Sequence, residues 1–105
     1  MKSTPIRKSA RGQECTLRLA PYCNGNPETV VLAHLPSPGH GMSLKSPDRF
    51  AVFACSACHD VADSRNPQAV RDLGWEEIYR CMLRALYETH GVLLQQGLMT
   101  IKGAA

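Results

Sequence analysis

The stretch Ala54-Cys55-Ser56-Ala57-Cys58-His59-Asp60 places a Cys-x-x-Cys pair where a short apolar strand gives way to a helix. Upstream, Cys15 and Cys23 flank a segment dense in proline, glycine and asparagine. Two cysteine pairs, each in a tight local structure, meet the requirement of a tetrahedral zinc site with four thiolate ligands. The sequence therefore predicts one structural Zn²⁺ ion held by Cys15, Cys23, Cys55 and Cys58.

Two other interpretations of these cysteines remain open at this point. The four residues could be ordinary buried cysteines, or Cys55 and Cys58 could form a thiol-redox pair. The redox interpretation is weakened because no βαβ pattern surrounds the Cys-x-x-Cys. The fifth cysteine, Cys81, lies beside Met82 in a helical pattern and is predicted to be a small core residue.

Length and composition limit the class of protein. The chain has 105 residues, which is enough for one domain, and 44% of them are hydrophobic, which argues against disorder. No apolar run approaches the ~18 residues of a membrane-spanning helix, so no membrane association is expected. The first residues lack the apolar region of a secretory signal, and the thiols are therefore expected to be reduced and available for metal.

The positive charge is concentrated at the N-terminus. Of the 12 Lys and Arg residues, Lys2, Arg7, Lys8, Arg11 and Arg18 fall within the first 18 positions, against the single acid Glu14. Residues 1–13 are predicted to be a basic, mobile arm, and residues 14–105 a single domain. Such an arm suits a polyanion such as nucleic acid, although a solvated tail would have the same composition.

Local patterns outline the domain. Alternating or β-branched residues predict short strands at 14–19, 29–35 and 50–54, with a helix from about 56–58 to 64. Asn66-Pro67 is a typical helix start, and apolar spacing of three and four predicts a helix from 75 to about 96. The predicted architecture is a core over about 14–65 followed by a C-terminal helix over about 67–97.

Two histidines are candidates for chemistry. His59 and Asp63 are four apart on the predicted helix and could converge on one divalent ion, for which Mg²⁺, Mn²⁺, Ni²⁺ and Zn²⁺ all suit the ligands. His34 lies near the end of the predicted strand at 29–35, which a loop, a second strand and a helix follow. It could therefore face His59 across a small groove. One histidine could then activate water while the other binds metal. Purely structural roles for both histidines remain open.

The order Cys, Cys, Ala-His-Leu, Asp, Cys-x-x-Cys-His resembles the HNH endonucleases, and most closely the small prophage-encoded nucleases of the YbcO type. The resemblance is strong over about residues 8–65 and loose in the C-terminal helix. It implies an α+β protein with a zinc-stabilised ββα-metal core, similar to a treble clef, and a long C-terminal helix. The function that it implies is metal-dependent hydrolysis of phosphodiester bonds in DNA.

The resemblance also implies roles for individual residues. His34 matches the general base, and His59 matches a ligand of the catalytic divalent ion. Asp48 resembles an aspartate that could orient His34 or reach the metal, and Asp63 could take the place of a second metal-binding side chain. Ala33 and Phe50 depart from the family pattern, since neither can bind metal. The alternative function is a non-catalytic zinc module that binds nucleic acid or a phage protein.

The partner expected from this resemblance is DNA, encountered in the cytoplasm of a bacterial host. Because so small a domain often needs two copies to cut both strands, a homodimer is compatible with the prediction. The basic residues expected to contact DNA are Arg7, Lys8, Arg11, Lys45 and Arg49.

Overall fold

The computed structural model describes residues 4–36 and 47–103, so that Lys45 and most of the loop around it lie outside the described residues. It is an α+β fold, as predicted, and its sheet has two strands. The elements are α1 (Pro5–Ser9), β1 (Val31–His34), β2 (Ala51–Ala54), α2 (Ser56–Ala62), α3 (Pro67–Leu73) and α4 (Trp75–Gln95), with 3₁₀ turns at Pro27–Thr29 and Asp48–Phe50. Among the described helices, none has the length and apolarity needed to cross a membrane.

Strands β1 and β2 form an antiparallel pair at the centre of the domain. Leu32 lies opposite Phe53, and His34 lies opposite Ala51. All four residues of β2 are buried, because α4 packs against this strand on the side away from solvent. This register fixes the end of β1, and therefore His34, next to the turn that leads into β2.

The outer edge of β2 is covered by hydroxyl groups. The predicted strand at 14–19 does not form within the described residues; instead, Thr16 donates its N–H and its hydroxyl to the carbonyl oxygen of Phe53, at 2.8 and 2.7 Å. On the same residue, the Phe53 N–H donates to the Thr89 hydroxyl of α4 at 3.1 Å. The Thr16 N–H and the hydroxyl groups of Thr16 and Thr89 thus take the place of a third strand and satisfy the backbone groups of Phe53 at this buried edge.

Thr89→Val is expected to destabilise the fold by about 1–3 kcal/mol, because valine has the shape of threonine but cannot accept the hydrogen bond from the buried Phe53 N–H. The loss should appear in urea denaturation at a fixed zinc concentration. Thr100→Val is the matched control, since Thr100 is exposed. Equal stability of both variants would contradict the role given to Thr89.

The C-terminal helix differs from the prediction of one helix over 67–97. It is divided into α3 and α4 at Gly74, whose φ of 82° lies in the left-handed region that glycine adopts without strain. The side chain of Asn66 caps α3 by accepting from the Ala69 N–H, as the Asn-Pro pair predicts. The break turns the chain so that α3 and α4 pack on each other.

The N-terminal segment also differs from the predicted mobile arm. Its described part forms α1, which begins at a Thr4 cap and a first-turn proline, a strong helix-start signal. Ile6 packs against the core, and Ala10 is buried in it. These two apolar residues, four apart on one helix face, hold α1 against the domain and bring Thr4 and Arg7 to the site described next.

Candidate functional site

The four cysteines predicted to bind zinc come together in the structure. The Sγ atoms of Cys15, Cys23, Cys55 and Cys58 all lie within 4.8 Å of one another, and no disulfide joins them. With Zn–S bonds of about 2.3 Å, tetrahedral geometry places neighbouring sulfurs about 3.8 Å apart. The Sγ atoms of Cys23 and Cys55 are 3.8 Å apart. The cluster therefore fits a four-thiolate zinc site both in its donor atoms and in their spacing.

Backbone N–H groups face the sulfurs. Cys55 is the N-cap residue of α2, and its Sγ accepts from the Cys58 N–H at 3.4 Å. Arg18 has a left-handed φ of 45°. Its N–H donates to the Sγ of Cys15, and the N–H of the next residue, Leu19, donates to the Sγ of Cys58. Such donors stabilise negative charge on metal-bound sulfur and orient it.

The charge state of the cluster supports cation binding. The Cys58 thiol donates a hydrogen bond to Cys15, which lowers the pKa of Cys15 to about 4. The same pairing, together with burial, raises the pKa of Cys58. The pairing thus favours a thiolate at Cys15 over one at Cys58, and a divalent ion would supply the positive charge that lets both sulfurs ionise.

Hydrogen bonds hold the segment that follows Cys15 against α4. The Arg18 guanidinium makes two hydrogen bonds of 2.7 Å to the Glu88 carboxylate, and Arg84 donates to the Leu17 carbonyl at 2.7 Å. Arg84 also lies 3.8 Å from the Glu88 carboxylate on the same helix. Cys81, predicted to be a core residue, is only 6% exposed and lies outside the cluster.

His34 and Asp48 form a second polar centre, at the end of β1. The Nε2 atom of His34 lies 2.8 Å from Oδ1 of Asp48. The Leu35 N–H donates to the Phe50 carbonyl at 2.9 Å, which holds the turn carrying Asp48 beside the strand end. The two side chains are mostly buried, with 17% and 21% of their surfaces exposed. The structure thus places Asp48 where it orients the imidazole.

The protonation of this pair follows from its contacts. The hydrogen bond from His34, with further bonds from Thr4 and Arg7, holds the pKa of Asp48 below its usual value. An ionised carboxylate only accepts hydrogen bonds, so Nε2 of His34 must carry the proton it donates. A neutral His34 then has its lone pair on Nδ1, and this nitrogen can accept a proton from water.

Helix α1 contributes to this centre in a way that the sequence did not predict. The Thr4 hydroxyl donates to Oδ2 of Asp48 at 2.9 Å, and Nε of Arg7 lies 3.3 Å from Oδ1. Arg7, predicted to contact nucleic acid, therefore has one of its donors on Asp48. The pair Thr4-Pro5 signals a helix start, but nothing local in the sequence indicates a contact with a residue more than forty positions away.

His59 and Asp63 lie next to each other on α2, as their spacing predicts, with Nε2 of His59 3.2 Å from Oδ2 of Asp63. Arg65 joins them: its Nη2 lies 3.3 Å from the same oxygen and 3.4 Å from Nδ1 of His59, and its Nε pairs with Asp60. Asp48 is engaged with His34 instead. Over residues 4–36 and 47–103, only the four cysteines bring three or more metal-binding side chains together.

The predicted nucleic-acid contacts are divided between two surfaces. Arg7, Lys8 and Arg11 line a groove of about 410 Å³ between α1 and β1, with Val30, Val31 and Leu32 as its apolar wall. Arg49 lies over the exposed ring of Phe50, 5.1 Å from its centroid. Lys8, Arg11 and Arg49 are exposed, so their positive charges are available to a polyanion.

The fold and the cysteine cluster define a small α+β protein with four thiols gathered at a strand–helix junction, in an arrangement that could hold a metal ion. The family described as "Putative nuclease YbcO" matches residues 4–97. The chain belongs to this family.

Individual relatives agree with this assignment. The chain is 43% identical over 95 residues to "Putative nuclease YbcO" of Escherichia coli (strain K12) and to the protein of that name from Enterobacteria phage 82, with 90% of this chain and 95% of each relative covered. It is also similar to a solved structure described as "Structure of a putative bacteriophage protein from Escherichia coli str. K-12 substr. MG1655". That match has a TM-score of 0.71 and 40% identity, and covers 89% of this chain and 100% of the other. The resemblance to YbcO-type proteins is confirmed, and the HNH assignment stays a prediction.

Proposed function

We propose that this protein is an endonuclease of the HNH type, phage or prophage encoded, which hydrolyses phosphodiester bonds in DNA with the help of a divalent ion. The observation that carries the proposal is the His34–Asp48 pair, with Nε2 2.8 Å from Oδ1. Asp48 keeps the proton on Nε2, and Nδ1 takes a proton from the water that attacks phosphorus. The nuclease description of the family's relatives supports the same reaction class.

His59 and Asp63 are the residues that would hold the catalytic ion. One imidazole nitrogen and one carboxylate oxygen suit Mg²⁺, Mn²⁺, Ni²⁺ or Zn²⁺, and two protein ligands leave room for water and substrate oxygens. When bound, such an ion stabilises the negative charge that develops on the phosphate and on the leaving oxygen.

In this mechanism the Arg65 side chain has to move away from the two residues that would bind the ion. Its guanidinium bonds to Asp63 and His59, the two ligand side chains, and therefore competes with a cation for them. The side chain is 56% exposed, so it can turn outward at small cost. From there it can join Lys8, Arg11, Arg49 and Lys45 in contacting the DNA backbone, which these residues would bind without reading sequence. The site of action is the bacterial cytoplasm, where phage DNA is found.

A non-catalytic zinc module that binds nucleic acid or a phage protein is the second candidate. The contacts of Arg65 favour it, because a protein that never binds a catalytic ion needs a positive group to pair with Asp60 and Asp63. Ala33 and Phe50 point in the same direction, since neither offers the missing ligand. In this case the structural zinc and the basic surface would remain, and His34 would be a hydrogen-bonded structural residue.

Nicking of supercoiled plasmid DNA separates the two functions. With zinc already in the cysteine cluster, added Mg²⁺, Mn²⁺ or Ni²⁺ is expected to convert plasmid to nicked circles, and excess EDTA to stop the conversion. A binding module would instead retain DNA in a salt-sensitive way and leave it intact with every metal. That second outcome would reject the nuclease proposal.

A further inference from the structure

Helix α4 carries an apolar surface that neither the zinc site nor the His34 centre uses. Tyr79, Leu83, Tyr87 and Leu94 are exposed by 53, 62, 78 and 41% of their surfaces. The first three are four residues apart and Leu94 follows after seven, so all four lie on one side of the helix. The opposite side carries the buried residues Ile78, Ala85 and Leu93. A continuous stripe of this kind on a small protein marks an interaction surface.

Gly91 lies on the same side, one turn after Tyr87. A glycine inside a helix costs about 1 kcal/mol relative to alanine, so it usually has a packing or conformational reason. Neither reason exists within the described residues: the helix is regular here, and a Cβ added to Gly91 would meet nothing within 4 Å. Close approach of another molecule would explain it.

We propose that this stripe is the interface of a homodimer in which two α4 helices pack antiparallel about a two-fold axis at Tyr87. Leu83 and Gly91 stand four residues before and after Tyr87. Reversing the second helix therefore sets Leu83 beside the partner's Gly91, and each leucine fills the space that the missing Cβ leaves. Arg80 comes beside the partner's Leu94, which its aliphatic stem can cover.

The surface is complementary to itself in order, size and charge. Large and small residues exchange places across the axis, which is the property an isologous interface requires. The flanking charges are mixed in sign, with Glu76 and Glu77 beside Arg80 and Arg84. They favour a copy of this chain over a strongly charged partner. The exposed side chains offer on the order of 500 Å² per chain, and about 1,000 Å² in total approaches the lower range of specific interfaces.

The oligomeric state of the zinc-loaded chain tests the proposal independently of any nuclease activity. Sedimentation equilibrium from micromolar to millimolar concentration is expected to show twice the 11.5 kDa chain mass. Tyr87→Glu and Gly91→Leu should each raise the dimer dissociation constant at least about tenfold. Leucine is a better helix former than glycine, so Gly91→Leu should weaken the dimer while the monomer keeps or gains thermal stability.

Ile101→Glu is the matched control, because Ile101 is an apolar residue with 55% of its surface exposed but lies outside α4. This variant should dimerise like the wild type, and far-UV circular dichroism should show that all variants are folded. A wild-type chain that stays monomeric at every concentration would overturn the proposal. So would a dimer that persists in both α4 variants, or one that Ile101→Glu weakens equally.

Discussion

Cys58→Ser is expected to abolish the folded state at 37 °C. Cys58 is buried, and its Sγ accepts a hydrogen bond from the Leu19 N–H and lies in the four-sulfur cluster. Replacing it with serine would therefore remove one zinc ligand from a buried site. Structural zinc contributes roughly 10–16 kcal/mol in small zinc-dependent domains, which is as large as the whole stability of a typical domain. Elemental analysis should give about one zinc per wild-type chain, and chelation should unfold it.

Cys81→Ala is the control for this prediction. Cys81 is buried, as Cys58 is, but its Sγ contacts Glu77 instead of another sulfur. The variant should keep its zinc and a cooperative thermal transition, with a loss limited to core packing. A wild-type chain that purifies folded and free of metal, or Cys58→Ser with an unchanged melting temperature, would contradict the zinc assignment.

His34→Ala is expected to lower the rate of DNA cleavage by about 10²–10⁴-fold, the usual contribution of a positioned general base. Because His34 is not one of the four cysteines that would bind zinc, the zinc content and thermal stability of the variant should stay close to those of the wild type. Asp48→Asn should cause a smaller loss, because asparagine can still accept from Nε2 but lacks the charge that stabilises a protonated His34. Cleavage rates measured under single-turnover conditions would give the order wild type, Asp48→Asn, His34→Ala.

The cysteine cluster and the two strands could be predicted because their signals are local. A Cys-x-x-Cys at a strand–helix junction keeps its two sulfurs close together, and the β-branched residues at 29–35 and the apolar residues at 50–54 favour short strands. The contact between His59 and Asp63 could be predicted for the same reason, since residues four apart on a helix share a face.

Contacts between distant parts of the chain could not be predicted. Helix α1 has a start signal in Thr4-Pro5, but its basic composition favours a mobile arm. Only the burial of Ala10 and the packing of the half-buried Ile6 show that the helix lies against the core. The bond from Thr4 to Asp48 depends on this packing. The break at Gly74 could not be predicted, because the Asn66-Pro67 start and the helical spacing from residue 75 are also compatible with one helix over 67–97. In the structure the glycine takes a left-handed φ that ends one helix and begins the next.

The contacts of Arg65 could not be predicted from the sequence either. It follows α2 by three residues and reaches back to Asp60, Asp63 and His59, which requires the chain to turn after Ser64, a residue with a left-handed φ of 62°. A charged residue in a turn is ordinarily solvated, and nothing in its spacing indicates this contact.

The central claim is that His34, oriented by Asp48, activates water for phosphodiester hydrolysis. The most direct test compares single-turnover nicking of supercoiled DNA by wild-type and His34→Ala proteins purified identically, loaded with zinc and supplied with Mn²⁺. The account predicts efficient nicking by the wild type and at least about a hundredfold slower nicking by the variant. Equal rates in the two preparations, or no nicking by either, would contradict it.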